Sequence, residues 1–135
     1  MMKNNKEILS SILKTTQMGQ VGIRSVLDTC MLPGLRSALE SQLHEYDSIE
    51  SEAHRIASQR GWEIKDLDPA VRFFADRMTR MRLNGKNTDS KIAGMMIQGI
   101  KNAHQYPAED LQVNILSQKL LDCETANIRQ MQGFL

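Results

Sequence analysis

The apolar positions of this chain repeat with the period of about 3.6 residues that is typical of amphipathic helices, and extended runs of β-favouring residues are absent. The first such pattern predicts a helix from about Asn5 to Met31. Its predicted inner face carries Leu9, Ile12, Leu13, Gly19, Ile23, Val26, Leu27 and Cys30, and its outer face carries Lys14, Gln17, Arg24 and Asp28. The chain therefore begins with a pattern typical of a long bundle helix.

Proline and glycine residues divide the rest of the chain into further helices. A second helix is predicted from about Leu35 to Arg60, because Gly61 stands where a C-terminal cap is expected. Asp68 is the expected N-cap of a shorter helix that reaches about Leu83. Phe74, Met78 and Met81 are predicted to face the interior from this shorter helix.

The last part of the chain predicts two more helices. One begins after Thr88 or Asp89 and reaches about Gln105, and the other opens at Pro107 and ends near Met131. The short Pro33–Gly34 turn between the first two long helices implies an antiparallel hairpin. We therefore expect one all-α domain over residues 1–135, an antiparallel four-helix bundle with a short connector helix between the second and third long helices.

Charge and composition exclude several classes of partner. Charged residues make up 24% of the chain, but the formal net charge is only +1, so no overall field favours nucleic acid or anionic lipid. No apolar run approaches the roughly 20 residues of a membrane span, which predicts a cytoplasmic protein. Cys30 and Cys123 lack the spacing of a zinc or redox motif and are predicted to be reduced, packed thiols.

A few polar residues fall on the predicted inner faces, where an unpaired group costs free energy. These are Thr16, Gln20, Gln42, Glu124 and Asn127, with Glu50 at the border. Glu124 is followed three positions later by Asn127, where di-iron bundles have Glu-x-x-His, and asparagine is a poor ligand for a transition metal. Two interpretations stay open at this point, a hydrogen-bonded polar layer that fixes helix register and an atypical metal site.

The remaining metal candidates come from the second helix and from one later histidine. Asp47, Glu50 and His54 lie within about 60° of one another on a helical wheel, so they form either a cation-binding stripe or a solvated flank. The full candidate set for an atypical site is Glu124, Glu50, Asp47, His54, Glu45 and His104. Nucleophile, phosphate-loop and dinucleotide motifs are absent, so we predict no catalytic residue and no cofactor.

The segment from Pro33 to Trp62 carries the spacing L-R-x-x-L-x-x-x-L-x-E-x-x-x-I followed by R-G-W. This spacing resembles the second helix of the spore coat protein F family of endospore-forming bacteria, and the first helix is similar in its early apolar pairs. The resemblance implies a ferritin-like bundle. An acidic position of that family falls on Thr16, another matches Glu45, and the following acid and histidine fall on Tyr46 and Asp47.

Two functional hypotheses follow. The preferred one is a non-enzymatic helical bundle that serves as a structural or interaction module, associates with the spore and binds a protein partner or a second copy of itself. The other is a divergent ferritin-like metal-binding protein or oxidase that uses the atypical carboxylate set. Gly19, Gly22, Gly94 and Gly99 thin the apolar faces, which is explained equally well by a small-molecule pocket between helices and by close helix packing.

Overall fold

The computed structural model describes residues 4–29, 32–83, 88–100 and 107–135, and within these ranges the chain is helical and contains no strand. The α-helices in this part of the chain are α1 (Asn5–Val26), α2 (Pro33–Arg60), α3 (Pro69–Arg82), α4 (Thr88–Ile100) and α5 (Leu111–Gln132). A short 3₁₀ turn, Leu27–Thr29, follows α1. The all-α prediction is confirmed here, and none of these helices is both long and apolar enough to cross a membrane.

The ends of several helices are fixed by local hydrogen bonds. A side-chain oxygen accepts from the N–H groups that the first turn of a helix leaves unpaired. These bonds join Asn4 to the N–H of Glu7, Asp68 to that of Ala70, and Asp110 to those of Gln112 and Val113. Gly61 ends α2 in the left-handed conformation at φ 68°, which a glycine adopts without strain. The predicted caps Asp68 and Gly61 are confirmed.

Other predicted boundaries need correction. The first helix ends at Val26 rather than Met31, and the last begins at Leu111 rather than Pro107, because the Asp110 side chain caps it. The helix predicted to reach Gln105 is described as far as Ile100. Cys30, Met31 and His104 lie outside the described residues.

The helices pack around one hydrophobic core, and α1 contacts each of the other four α-helices. Gln17 of α1 is bonded to Glu50 of α2, and Gln20, which comes later in α1, is bonded to Asp47, which comes earlier in α2. These two helices are therefore antiparallel. The pairs Tyr46–Glu124 and Gln42–Gln130 show the same for α2 and α5. Helix α5 also packs against α4, and α3 lies on α1, whereas α1 and α4 touch only sparsely. The packing between α1 and α4 is therefore loose.

Helix α3 is oriented differently from the prediction. Phe74 and Met81, predicted to face the interior, are each 67% exposed, and Met78 is 37% exposed. The half-buried side of α3 consists of short or polar side chains, including Asp76, which accepts a hydrogen bond of 2.5 Å from the Ser25 hydroxyl of α1. The short and polar side of α3 thus faces α1, and the apolar side chains of α3 face outward.

Gly19 allows α1 and α2 to pack closely around the ring of Tyr46. A Cβ atom placed on Gly19 would lie 2.6 Å from Cζ of Tyr46, closer than real Cβ contacts allow. At Gly22, one turn later on the same helix, the nearest atom to such a Cβ is Cε of Met96 at 3.8 Å, an ordinary contact. Of these two glycines, only Gly19 faces a side chain that excludes a methyl group.

We expect Gly19→Ala to lower the free energy of unfolding by about 1–3 kcal/mol, because the added methyl group displaces a buried tyrosine. Gly22→Ala is the matched control and should leave stability unchanged or raise it by up to about 1 kcal/mol, since alanine is the better helix former. Urea denaturation of both variants measures the difference. Equal stability of the two variants would show that the close packing at Gly19 is absent.

Candidate functional site

A cavity of about 570 Å³ lies where α1 and α4 separate, with α3 along one side. Its rim consists of exposed residues, among them Lys14, Met18, Arg82 and Gln98. Its walls are mainly apolar and include Ile23, Ala75, Met95, Met96 and Ile100. Gln42, Tyr46 and Glu124 are buried and form its floor. The cavity thus passes from a polar rim through apolar walls to a polar floor.

Glycines on two of the lining helices create the space. Gly19 and Gly22 of α1 and Gly99 of α4 line the cavity. No atom lies within 4 Å of a Cβ placed on Gly99. The absence of side chains at Gly22 and Gly99 leaves space between α1 and α4, whereas the space beside Gly19 is filled by the Tyr46 ring, so that glycine serves close helix packing. Gly94, the fourth glycine predicted to thin the apolar faces, does not line the cavity.

A buried tyrosine–glutamate pair forms the polar part of the floor. The Tyr46 hydroxyl donates a hydrogen bond of 2.9 Å to Oε2 of Glu124, and both residues are buried. Desolvation raises the pKa of Glu124 to about 7, while the hydrogen bond from Tyr46 acts in the opposite direction. Desolvation also raises the pKa of Tyr46 far above its ordinary value, and the nearby charge of Glu124 raises it further. The tyrosine therefore stays a neutral donor, and the glutamate changes charge near neutral pH.

Cys123 lies beside this pair but is not poised as a nucleophile. Its thiol donates to Oε2 of Glu45 at 2.8 Å, and Nδ2 of Asn127 lies 3.7 Å from its sulfur. Burial, together with the hydrogen bond to Glu45, raises the pKa of Cys123 to about 12. Because the thiolate is the reactive form, the thiol is unreactive at neutral pH. This agrees with the predicted packed thiol at Cys123.

Two glutamines of α1 form a second polar cluster, apart from the cavity floor. Nε2 of Gln17 donates to Glu50 at 2.9 Å and to Asp66 at 2.8 Å, and its Oε1 accepts from the N–H of Leu67 at 2.6 Å. Nε2 of Gln20 donates to Asp47 at 2.8 Å. These bonds attach the segment 61–68 and α2 to α1, so the cluster holds helices together.

The polar residues predicted inside the bundle are buried there, and one more joins them. Thr16, Gln20, Gln42, Glu124 and Asn127 are all buried and hydrogen-bonded. Gln17 was predicted to lie on the outer face, but it is 1% exposed. The prediction was wrong because segment 61–68, which has no regular structure, covers that side of α1.

The metal candidates do not converge on one point. Glu124 is bonded to Tyr46 and Glu45 to Cys123, whereas Asp47 and Glu50 lie with Gln20. His54 is paired with Asp66 at 3.7 Å, and His104 lies outside the described residues. Within the described ranges, no three His, Cys, Asp or Glu residues are arranged to hold a metal ion.

Comparison of the chain with protein-family models, curated proteins and solved structures gives no match. The functional interpretation therefore depends on the geometry of the cavity itself. Chemically, the cavity offers an apolar enclosure and one carboxyl group that can accept hydrogen bonds or a proton.

The raised pKa of Glu124 predicts a specific pH dependence of stability. The unfolded group titrates near 4.5 and the folded group near 7, so between these values the native state binds a proton that the unfolded state lacks. Rising pH therefore destabilises the parent relative to Glu124→Gln, by up to about 3 kcal/mol, and the difference levels off about one pH unit above the folded pKa. Urea denaturation of both proteins from pH 4.5 to 8 measures it. A difference that does not vary with pH would contradict the buried, proton-binding carboxyl.

Proposed function

We propose that this chain is a non-enzymatic helical bundle whose function is to bind a small, mainly apolar molecule in the cavity between α1, α3 and α4. The supporting observation is the cavity, whose volume of about 570 Å³ falls within the roughly 300–1,000 Å³ range of small-molecule sites. Apolar walls with a few converging polar groups are the usual composition of such sites. Helices α1, α2 and α5 pack together and support the site, and residues of α2 and α5 form its floor.

A binding role fits the chemistry of the cavity better than a catalytic one. In the described part of the chain, the polar groups at its floor are one phenol, one carboxyl and one amide. The phenol and carboxyl are already bonded to each other, and the neighbouring Cys123 thiol is held by Glu45. Covalent catalysis needs a nucleophile activated by a base, and these groups do not form such a pair.

Binding of n-octanol tests this proposal, because the molecule is apolar, small and uncharged. Isothermal titration calorimetry should detect binding to the parent protein and at least a tenfold weaker affinity for Gly22→Leu, whose side chain would fill the cavity. The matched control is Gly94→Leu, since Gly94 lies on α4 but does not line the cavity. Absence of binding to the parent, or equal loss in both variants, would contradict the proposal.

A second candidate function is self-association through α3. Its exposed apolar residues Val71, Phe74, Met78 and Met81 are spaced by three, four and three positions, which places them on one stripe of the helix. This spacing is identical in both directions along the helix, so two copies related by a two-fold axis can place Val71 opposite Met81 and Phe74 opposite Met78. Arg77 lies over the ring of Phe73, with its guanidinium carbon 5.8 Å from the centroid, along the border of the stripe.

The stripe predicts a dimer that one charge can disrupt. Phe74→Glu should convert the dimer into a monomer, because it puts a buried, unpaired carboxylate at the centre of the interface. Phe73→Glu is the matched control, since Phe73 is equally exposed but lies off the stripe. Light scattering after size-exclusion chromatography measures the mass of each variant. A monomeric parent protein at high concentration would rule out this association.

The ferritin-like arrangement and a link to the spore remain part of this proposal. They are supported by the resemblance of α1 and α2 to the spore coat protein F family, which extends over residues 1–62. In this view the bundle acts in the cytoplasm of an endospore-forming bacterium and becomes associated with its spore. Detection of the chain in purified spores tests the idea, and its absence from them would contradict it.

A further inference from the structure

The carboxyl group at the cavity floor has only part of its hydrogen-bonding capacity used. Oε2 of Glu124 accepts from Tyr46, and within the described ranges no other donor reaches this carboxyl. Glu124 lines the cavity, and an ionised carboxylate can accept about four hydrogen bonds. The group is therefore available to a ligand that enters the cavity.

This carboxyl also lacks a cationic partner within the described part of the chain. Lys14 and Arg82 line the cavity, but both are exposed at its rim, and neither lowers the pKa of Glu124. Burying an unpaired carboxylate costs several kcal/mol in general, and a bound cation offsets that cost. A ligand that brings its own positive charge to the floor satisfies this requirement.

We propose that the cavity selects small primary amines with an apolar body, the amino group bound to Glu124 at the floor and the apolar part against Ile23, Met95 and Met96. This inference rests on the proposed binding function and adds the chemical class of the ligand. An amine provides three donors to the carboxylate in its ammonium form. The bond joins oppositely charged groups, which makes it stronger than a bond between neutral ones.

Other amphipathic molecules fit this cavity less well. An alcohol of the same length gives the carboxyl one neutral hydrogen bond, and a carboxylic acid places a second negative charge near Glu124 or leaves its head group at the rim. Proton exchange favours the amine as well: a simple amine has a pKa of about 10, above the value of about 7 for Glu124. The proton therefore resides on the amine and the complex contains an ion pair.

The test compares n-octylamine, n-octanol and n-octanoate by isothermal titration calorimetry at pH 8, where Glu124 is mostly ionised. We expect the amine to bind the parent protein at least tenfold more tightly than the alcohol, and the alcohol more tightly than octanoate. In Glu124→Gln the preference for the amine should disappear while octanol binding persists. The control variant is Glu109→Gln, because Glu109 is exposed and outside the cavity, and it should retain the preference.

The outcomes separate this inference from the proposed function. Binding of octanol without a preference for the amine, or a preference unchanged by Glu124→Gln, overturns the inference and leaves the cavity as a general apolar site. Absence of binding by all three compounds overturns both. The comparison of ligands on the parent protein can overturn the inference even if Glu124→Gln folds poorly.

Discussion

The Tyr46 side chain between Gly19 and Glu124 is the contact on which the rest of this structure depends. Its ring occupies the space that a side chain at Gly19 would need, and its hydroxyl reaches across to α5. One residue of α2 therefore sets the distance to α1 and the register with α5. The same ring and its bonded carboxyl form the floor of the cavity, so packing of the bundle and shape of the site have one origin.

Buried side-chain hydrogen bonds join α1, α2 and α5, whereas the side of the molecule that contains α3, α4 and the cavity is more open. Gln17 and Gln20 bind α1 to α2 and to segment 61–68, and Gln42 binds α2 to α5. Each buried amide is paired, which avoids the cost of an unsatisfied polar group and restricts the register of the helices. Helix α3 is joined to α1 by the bond between Ser25 and Asp76, but α1 and α4 contact each other only sparsely, and the cavity lies between them. The proposed binding site therefore lies where two helices are loosely packed, between α1 and α4.

Sequence patterns predict features that depend on residues close together in the chain. They fail where contacts between distant segments determine burial or helix orientation. The caps Asp68 and Gly61 follow from local hydrogen bonding and backbone conformation, and the periodicity of α5 is enough to place Glu124 inside. Gln17 could not be placed in this way, because an irregular segment covers it. The side of α3 that faces α1 is short or polar and includes Asp76, bonded to Ser25, which hydrophobicity does not indicate. The glycines suggested a pocket, but its floor requires contacts among three helices.

Methyl NMR of protein labelled at methionine Cε distinguishes the cavity from the surface of α3, because methionines lie both in the cavity and on the outer stripe of α3. On addition of n-octylamine, we expect shifts of the methyl signals of Met18, Met95 and Met96, which line the cavity, and unchanged signals for Met78 and Met81. Shifts confined to the stripe methionines, or no shifts in the cavity, would contradict a ligand site above the Tyr46–Glu124 pair.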